Sequence, residues 1–289
     1  MRQCAFCGKD AETEEHVIPK WLQKHFDLFD QRLALWNGTT IPYRQTVVPA
    51  CLACNRDRFA PLEMRVREGR ASRRDYYLWA LKITYGLGHR DTSLLLDRSR
   101  PQAGPLLPDE IAKDIEELAR HAFQGVDRTE FRFSPEPFGS VILMDTDSDE
   151  FVFIDVPRPF RAVAIALPNK KHLVVLPGDR GVIATMYGSR RFKKRMQLEF
   201  PSVDGQLQLA LKVFGMLITR SHLAIPRAIL LKENGIFAAR VPRNLPTVYQ
   251  PREVYRGIAD MLHLPHALAD EAHSRHASGY ASIGSLRWR

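Results

Sequence analysis

Apolar positions recur with a helical period over Arg73–Leu87, where they fall at i, i+3, i+4 and i+7. This spacing predicts a helix, and two glycines near its end, Gly86 and Gly88, predict the C-terminal cap. The segment Asp109–Phe123 shows the same period and places acidic residues in its first turn, where the helix dipole favours them. Two helices are therefore predicted in the first half of the chain.

Residues 128–187 instead contain short runs rich in β-branched and aromatic residues, separated by turn sequences. The runs predict six strands, at Phe131–Phe133, Ser140–Met144, Phe151–Val156, Ala162–Leu167, His172–Leu176 and Val182–Tyr187. Such closely spaced strands are typical of an antiparallel sheet. Beyond them, apolar periodicity predicts one helix at Gln206–Leu223 and a less regular one at Ile258–Leu268.

The proline-rich stretch Arg100–Pro108 predicts a linker between two parts of the chain. We therefore expect an α+β protein with a small module at residues 1–95 and an accessory domain at residues 105–289. The accessory domain should hold the antiparallel sheet and its flanking helices. After His273 it ends in a basic tail without acidic residues.

Composition and charge narrow the class of protein. The 289 residues are 45% hydrophobic and 26% charged, which is ordinary for a folded globular chain. The net charge of +9 is uneven, with +5 on residues 1–90, −5 on 91–180 and +9 on 181–289. A basic surplus attracts polyanions, so the two ends are expected to face nucleic acid. The acidic middle segment is not expected to face nucleic acid.

Neither a membrane span nor a leader is visible in the hydropathy pattern. No apolar run approaches the roughly 20 residues that a membrane helix needs. The segment Met1–Asp10 is polar and lacks the apolar stretch of a signal peptide. We therefore expect a cytoplasmic protein with no membrane partner, in a compartment that keeps thiols reduced.

All four cysteines lie in the first 54 residues, as two C-x2-C pairs. The pairs are Cys4 with Cys7 and Cys51 with Cys54. Each tight turn can present two thiolates to one tetrahedral ion, so the spacing predicts a structural zinc site. Such a site has no open coordination position. It would stabilise the fold and take no part in chemistry.

Residues between and after the cysteine pairs carry the candidate chemistry. Glu14, Glu15 and His16 begin the sequence EEHVIP, and Asn55 follows the second pair directly. With these motifs, residues 1–90 resemble the HNH, or ββα-metal, endonuclease family. The zinc-stapled branch typified by phage endonuclease VII is the most similar.

The resemblance implies a role for each matching residue. His16 corresponds to the general base that deprotonates a water molecule. Glu15 and Asn55 correspond to the ligands of a catalytic divalent ion, for which oxygen donors favour Mg²⁺ or Mn²⁺. A histidine with an ordinary pKa near 6.5 suits the role of a base at neutral pH.

One position departs from the family pattern. The middle asparagine, which braces the base histidine, usually stands about five residues before the third cysteine, where this chain has Thr46. Asn37 lies in the same segment between the two cysteine pairs and is a candidate substitute for the missing asparagine. The departure bears on catalysis and leaves zinc binding untouched. Glu63 is a further acid near the site, either a third metal ligand or a charge at a helix N-terminus.

Two basic clusters are candidate contacts for nucleic acid. The first follows the metal-binding residues and comprises Arg65, Arg67, Arg70, Arg73 and Arg74. The second is the densest basic run of the chain and comprises Arg190, Arg191, Lys193, Lys194 and Arg195. Proximity in sequence to the candidate chemistry favours the first as a set of phosphate clamps.

The expected function is that of a metal-dependent HNH endonuclease that cleaves or nicks DNA. Nucleases of this type recur in restriction, mobile elements, phage packaging and bacterial defence, and the fold does not choose among these roles. The accessory domain is expected to serve target choice, homodimerisation or docking onto partner proteins of a multi-gene system. Two alternatives remain, namely a zinc-ribbon binding protein whose nuclease site has decayed and an RNA-directed or partner-gated nuclease.

Overall fold

A computed structural model describes residues 2–35, 37–156, 162–187, 227–240 and 267 of the chain. Several predicted features fall outside these residues. They are the helix Gln206–Leu223, the helix Ile258–Leu268 except Ala267, the basic run Arg190–Arg195 and the tail after His273.

The described N-terminal part contains two antiparallel strand pairs and three α-helices. Its strands are β1 (Thr13–His16), β2 (Arg32–Ala34), β3 (Thr40–Pro42) and β4 (Val47–Ala50). Its helices are α1 (Lys20–His25), α2 (Ala60–Arg67) and α3 (Arg73–Asp91). A π-helical segment, Ala53–Phe59, leads directly into α2, and a 3₁₀ turn, Tyr43–Gln45, precedes β4.

The rest of the described chain combines α-helices with a larger sheet. Its helices are α4 (Asp109–Asp127) and α5 (Val182–Tyr187), after a 3₁₀ turn at Pro101–Ala103. Its strands are β5 (Arg132–Ser134), β6 (Ser140–Asp145), β7 (Phe153–Val156), β8 (Ala162–Leu167), β9 (Lys171–Leu176), β10 (Arg227–Lys232) and β11 (Gly235–Arg240).

The strands form four sheets. β1 pairs with β4, and β2 pairs with β3, in both cases antiparallel. A four-stranded antiparallel sheet has the order β6-β9-β8-β7, in agreement with the sheet predicted from the sequence. The fourth sheet has the order β10-β11-β5, and in it β5 is parallel to β11. The predicted α+β class is confirmed, whereas the parallel pair and the β10–β11 hairpin were not predicted.

Helix α3 is the central element of the core. It begins with a capping box, in which Ser72 and Asp75 each accept a hydrogen bond from the other's backbone N–H. From Tyr76 to Gly88 every side chain is buried, as expected for a helix surrounded by protein. It contacts α2 and β4 of the N-terminal part, and also α4, β6 and β9. One continuous apolar cluster therefore spans both predicted domains.

The predicted end of α3 is wrong, because the helix continues past Gly86 and Gly88 to Asp91. Gly86 is needed for packing instead. A Cβ atom at this position would lie 2.9 Å from Cγ2 of Val17, which directly follows His16 in the chain. The missing side chain lets the start of the β1–α1 connection lie against α3.

The strand predicted at Val182–Tyr187 is also wrong, because this segment is helix α5. Its β-branched and aromatic residues favour a strand, but the preceding turn caps a helix. The buried Asp179 carboxylate accepts hydrogen bonds from the backbone N–H groups of Gly181 and Ile183, both at 2.9 Å. The Ser140 hydroxyl accepts one from Ala184 at 2.7 Å. The local cap from Asp179 and the tertiary bond from Ser140 together override the strand preference of the segment.

Within the described part of the chain, no helix combines the length and the apolar character needed to cross a bilayer.

Candidate functional site

The two C-x2-C pairs meet at one place. The sulfur atoms of Cys4, Cys7, Cys51 and Cys54 all lie within 4.8 Å of one another. Those of Cys7 and Cys51 are 3.6 Å apart, and no cysteine forms a disulfide. A tetrahedron with Zn–S bonds of about 2.3 Å has edges of about 3.8 Å, so the donor set fits a zinc ion. The cluster can hold a metal such as zinc.

The thiol pKa values of Cys4, Cys7 and Cys54 are shifted in different directions. A hydrogen bond from the Cys54 thiol lowers the pKa of Cys4 to about 4, although burial opposes this. The same contact raises the pKa of Cys54, and burial raises that of Cys7. One thiolate is thus stabilised by its neighbours, and a metal ion would have to displace protons from the others.

The first cysteine pair is anchored to the core from several sides. Between its cysteines, Phe6 is buried and packs edge-to-face on Phe59 at 4.7 Å. The carbonyl oxygen of Ala5 accepts a hydrogen bond from the Tyr85 hydroxyl at 2.7 Å. The Arg58 guanidinium lies 3.7 Å from the Cys54 sulfur and pairs with Asp127 of α4. The cluster is therefore continuous with helices α3 and α4.

The β1–β4 pair and the following helical segment bring Asn55 against strand β1. In the register of the pair, Thr13 faces Ala50 and His16 faces Val47. Asn55 lies in the π-helical segment, and its Nδ2 donates to Thr13 Oγ1 at 3.1 Å and to the Glu14 carbonyl oxygen at 3.3 Å. Because its amide nitrogen is fixed on β1, its Oδ1 is left for a ligand.

His16 is the last residue of β1 and is half-buried. Among the described residues its ring nitrogens have no hydrogen-bond partner. Burial and the nearby Lys20 ammonium lower the pKa of His16, and the Glu15 charge opposes them. An imidazole with a lowered pKa is neutral at pH 7 and can accept a proton.

Neither candidate for the middle asparagine contacts the His16 ring. Thr46 is fully buried, and its carbonyl oxygen accepts a hydrogen bond from the Val17 N–H at 2.9 Å. Asn37 donates to the Leu95 carbonyl oxygen at 3.1 Å and accepts from Thr39. Thr46 thus fixes the backbone beside His16, while the Asn37 side chain is used elsewhere.

Glu15 contacts a residue that the motif does not contain. Its carboxylate accepts a hydrogen bond from the Lys82 ammonium, which also donates to the carboxylate of Glu63 on α2. The Lys82 side chain is fully buried, and those of Glu15 and Glu63 are 10% and 16% exposed. Glu63 is therefore a buried ion-pair partner in the first turn of α2, rather than a solvated helix charge.

The pKa shifts reflect this burial. Burial alone would lower the pKa of Lys82, but the carboxylates of Glu63 and Glu15 outweigh it and hold that pKa above its ordinary value. Burial raises the pKa of Glu63, and the charge of Glu15 raises it further against the effect of Lys82. The ammonium thus remains charged, and two carboxylates share it.

The first arginine cluster separates into two kinds of residue. Arg65 donates to Asp75, at 2.6 Å from its Nη2, and Arg74 donates to the Gly125 carbonyl oxygen at 2.8 Å. Arg74 also lies over the Phe133 ring at 5.0 Å. The other three arginines are exposed, and they are Arg67, Arg70 (which pairs with Glu68) and Arg73. Arg65 and Arg74 are thus used within the fold.

Sequence reasoning missed two residues beside the site. Lys82 is a single charge within the apolar run YYLWALKITYG, and a charge at such a position is a sign of a buried partner. Lys20 lies four residues after His16, is exposed and forms no ion pair with a described residue. Its charge lowers the pKa of His16, so this ammonium lies near the candidate base.

Comparisons of the chain with protein-family models, with curated proteins and with solved structures found no match.

Proposed function

We propose that this protein is a metal-dependent endonuclease that hydrolyses phosphodiester bonds of DNA, with His16 as the general base. The observation that carries the proposal is the half-buried imidazole of His16 at the end of β1, whose ring nitrogens have no hydrogen-bond partner in the described part of the chain. It lies next to Glu15, and Asn55 is hydrogen-bonded to the same strand.

The local architecture supports the resemblance noted in the sequence. An antiparallel strand pair, β1 with β4, is followed at once by a helical segment that carries Asn55 and continues into α2. The cysteine cluster lies at the base of this unit and joins β4 to the N-terminal segment. Strand, strand and helix therefore appear in the order of the ββα-metal family.

The candidate residues offer donor types that suit a divalent ion and, separately, a zinc ion. Glu15 and Asn55 offer one carboxylate oxygen and one amide oxygen, which are hard donors of the kind that Mg²⁺ or Mn²⁺ prefers. The four thiolates suit zinc in a structural role. When bound, the divalent ion would supply charge stabilisation for the scissile phosphate and the departing oxygen.

The roles of the chain's own residues follow from their positions. His16 accepts a proton from a water molecule as the water oxygen bonds to phosphorus. The bond from phosphorus to the 3′ oxygen breaks, and that oxygen takes a proton from solvent. Asn55 and Glu15 hold the ion, and Lys20 is placed to attract a phosphate. The accessory part is the place for target choice, dimerisation or docking of partner proteins.

Supercoiled plasmid incubated with Mg²⁺, Mn²⁺ or EDTA tests the proposal. We expect nicked or linear product with a divalent ion and none with EDTA. A labelled single-stranded RNA of equal length is incubated in parallel. It distinguishes cleavage of DNA from RNA-directed activity. If neither nucleic acid is cut with any metal, with or without candidate partner proteins from neighbouring genes, the enzymatic proposal fails.

A second candidate function rests on the ion pair between Glu15 and Lys82. If this pair keeps Glu15 from binding an ion, the protein is a zinc-containing nucleic-acid- or partner-binding protein with a decayed nuclease site. Thr46 in place of the usual asparagine favours the same interpretation. A protein of this kind would bind DNA with salt-dependent affinity but leave it intact with every divalent ion.

A further inference from the structure

The Glu15–Lys82–Glu63 cluster is the least expected charged group in the described core. The Lys82 ammonium is fully buried, lies 5.7 Å from the centre of the Phe59 ring and bridges carboxylates from β1 and α2. With both carboxylates ionised, the cluster carries a net charge of −1. It therefore joins the candidate site to the central helix through charge rather than apolar contact.

Stability alone is a poor explanation for such a cluster. Removing charges from water is costly, and apolar residues of similar volume often stabilise a core as well as or better than a buried ion pair. Thr84 and Tyr85 neighbour Lys82 in the chain, and the rest of the α3 core is almost entirely apolar. A function therefore explains the buried lysine at this position better than stability does.

Lys82 acts on the oxygen atoms of Glu15 that an ion would use. The ammonium binds Oε1 of Glu15 and so fixes the orientation of the carboxylate, while no hydrogen bond joins Oε2 to a described residue. An ion bound at Oε2 would share the carboxylate with a second positive charge a few ångströms away. Like charges repel most strongly in such a weakly polar environment.

We infer that Lys82 is a positioning residue that fixes the Glu15 carboxylate and weakens the binding of the divalent ion. This inference rests on the proposed function. The carboxylates of Glu15 and Glu63 share Lys82 as a counter-ion before any ion arrives, so the fold does not depend on the ion. Lys82 thereby lowers the affinity of the site for the ion. It keeps the Glu15 ligand in a fixed orientation and lets the metal exchange.

Two matched variants of the full zinc-loaded chain test the inference. Glu63→Gln keeps the ion pair between Lys82 and Glu15, and Glu63→Gln/Lys82→Met removes only the ammonium in addition. Free Mn²⁺ measured by electron paramagnetic resonance, without DNA, gives the affinity of each. We expect the double variant to bind Mn²⁺ about 10-fold or more tightly than Glu63→Gln.

Plasmid nicking at saturating Mn²⁺ supplies the second readout. We expect kcat of the double variant to fall about 10-fold relative to Glu63→Gln, because Glu15 is no longer held in place. Damage to the fold would lower activity without tightening Mn²⁺ binding. Equal or weaker Mn²⁺ binding by the double variant, or an unchanged kcat, would overturn the inference.

The outcomes also separate this inference from the proposed function. A wild type that binds Mn²⁺ but cuts no nucleic acid removes the nuclease proposal, and the affinity comparison still decides the role of Lys82. A wild type without any Mn²⁺ binding removes both. If the double variant does not fold, Glu63→Gln should bind Mn²⁺ more weakly than wild type, since Lys82 then pairs with Glu15 alone. Unchanged binding would contradict the inference.

Discussion

The Lys82 ammonium of helix α3 donates a hydrogen bond to the Glu15 carboxylate of strand β1, although the two residues are 67 positions apart in the chain. The pair connects the candidate site to the helix that also contacts α4, β6 and β9. The candidate chemistry and the core packing therefore meet at Glu15, and on the proposed function the same charges serve both.

Replacing Lys82 by methionine should destabilise the protein strongly. The change leaves the carboxylates of Glu15 and Glu63 buried without a counter-ion, which costs about 3–5 kcal/mol when one partner of a buried pair is removed. Adding Glu63→Gln should recover part of this loss, because one buried charge is then gone. Urea unfolding of the two single variants and the double variant measures the coupling. Strictly additive effects would show that Lys82 and Glu63 do not interact.

Loss of one cysteine should remove the metal and unfold the N-terminal part. Elemental analysis of the purified chain is expected to give about one zinc per chain, since the four sulfur atoms form one site. Cys51→Ser should lose this zinc and lower Tm by about 10 °C or more, because metal binding contributes directly to folding. A zinc content well below one, or an unchanged Tm, would contradict the assignment.

Alanine at Gly86 should disturb the region of His16. The new methyl group would lie 2.9 Å from Val17 Cγ2, and overpacking of this kind costs about 1–3 kcal/mol. Val17→Ala in the same chain makes room for it and should restore much of the loss. Thermal unfolding of the single and double variants tests this. Equal stability of Gly86→Ala and wild type would show that α3 can move away from Val17.

Exposed arginines near the site should contribute to DNA binding more than the arginines used inside the fold. Arg67 and Arg73 are exposed and form no ion pair with a described residue. Replacing both by glutamine should weaken DNA binding and reduce the slope of log affinity against log salt by about 1–2. Arg98→Gln, another exposed position, is the control for a loss of charge alone. A slope that stays as in wild type would show that neither arginine contacts a phosphate.

Local rules predicted the features that depend on neighbours in sequence. The cysteine spacing was sufficient to place Cys4, Cys7, Cys51 and Cys54 together, because each tight turn presents two sulfur atoms. The apolar period of α3 likewise predicted a helix from Arg73, although its C-terminal end was predicted wrongly. The four-stranded antiparallel sheet follows from the short apolar runs and the turns between them.

Features that depend on distant partners could not be predicted in the same way. The helix Val182–Tyr187 depends in part on Ser140, which accepts a hydrogen bond from Ala184 across 44 positions in the chain. Gly86 is explained only by its contact with Val17, and Lys82 only by two acids that are far away in sequence. Each of these positions is determined by tertiary contact, which periodicity does not describe.

The rate of DNA nicking by His16→Ala, compared with His25→Ala, tests the central claim most directly. His25 lies in α1 and is exposed, so its replacement controls for the loss of an imidazole near the site. With equal zinc content and Mn²⁺ at saturation, His16→Ala should be at least about 100-fold slower than wild type. His25→Ala should cut at the wild-type rate. Equal cutting by His16→Ala and wild type would contradict the account.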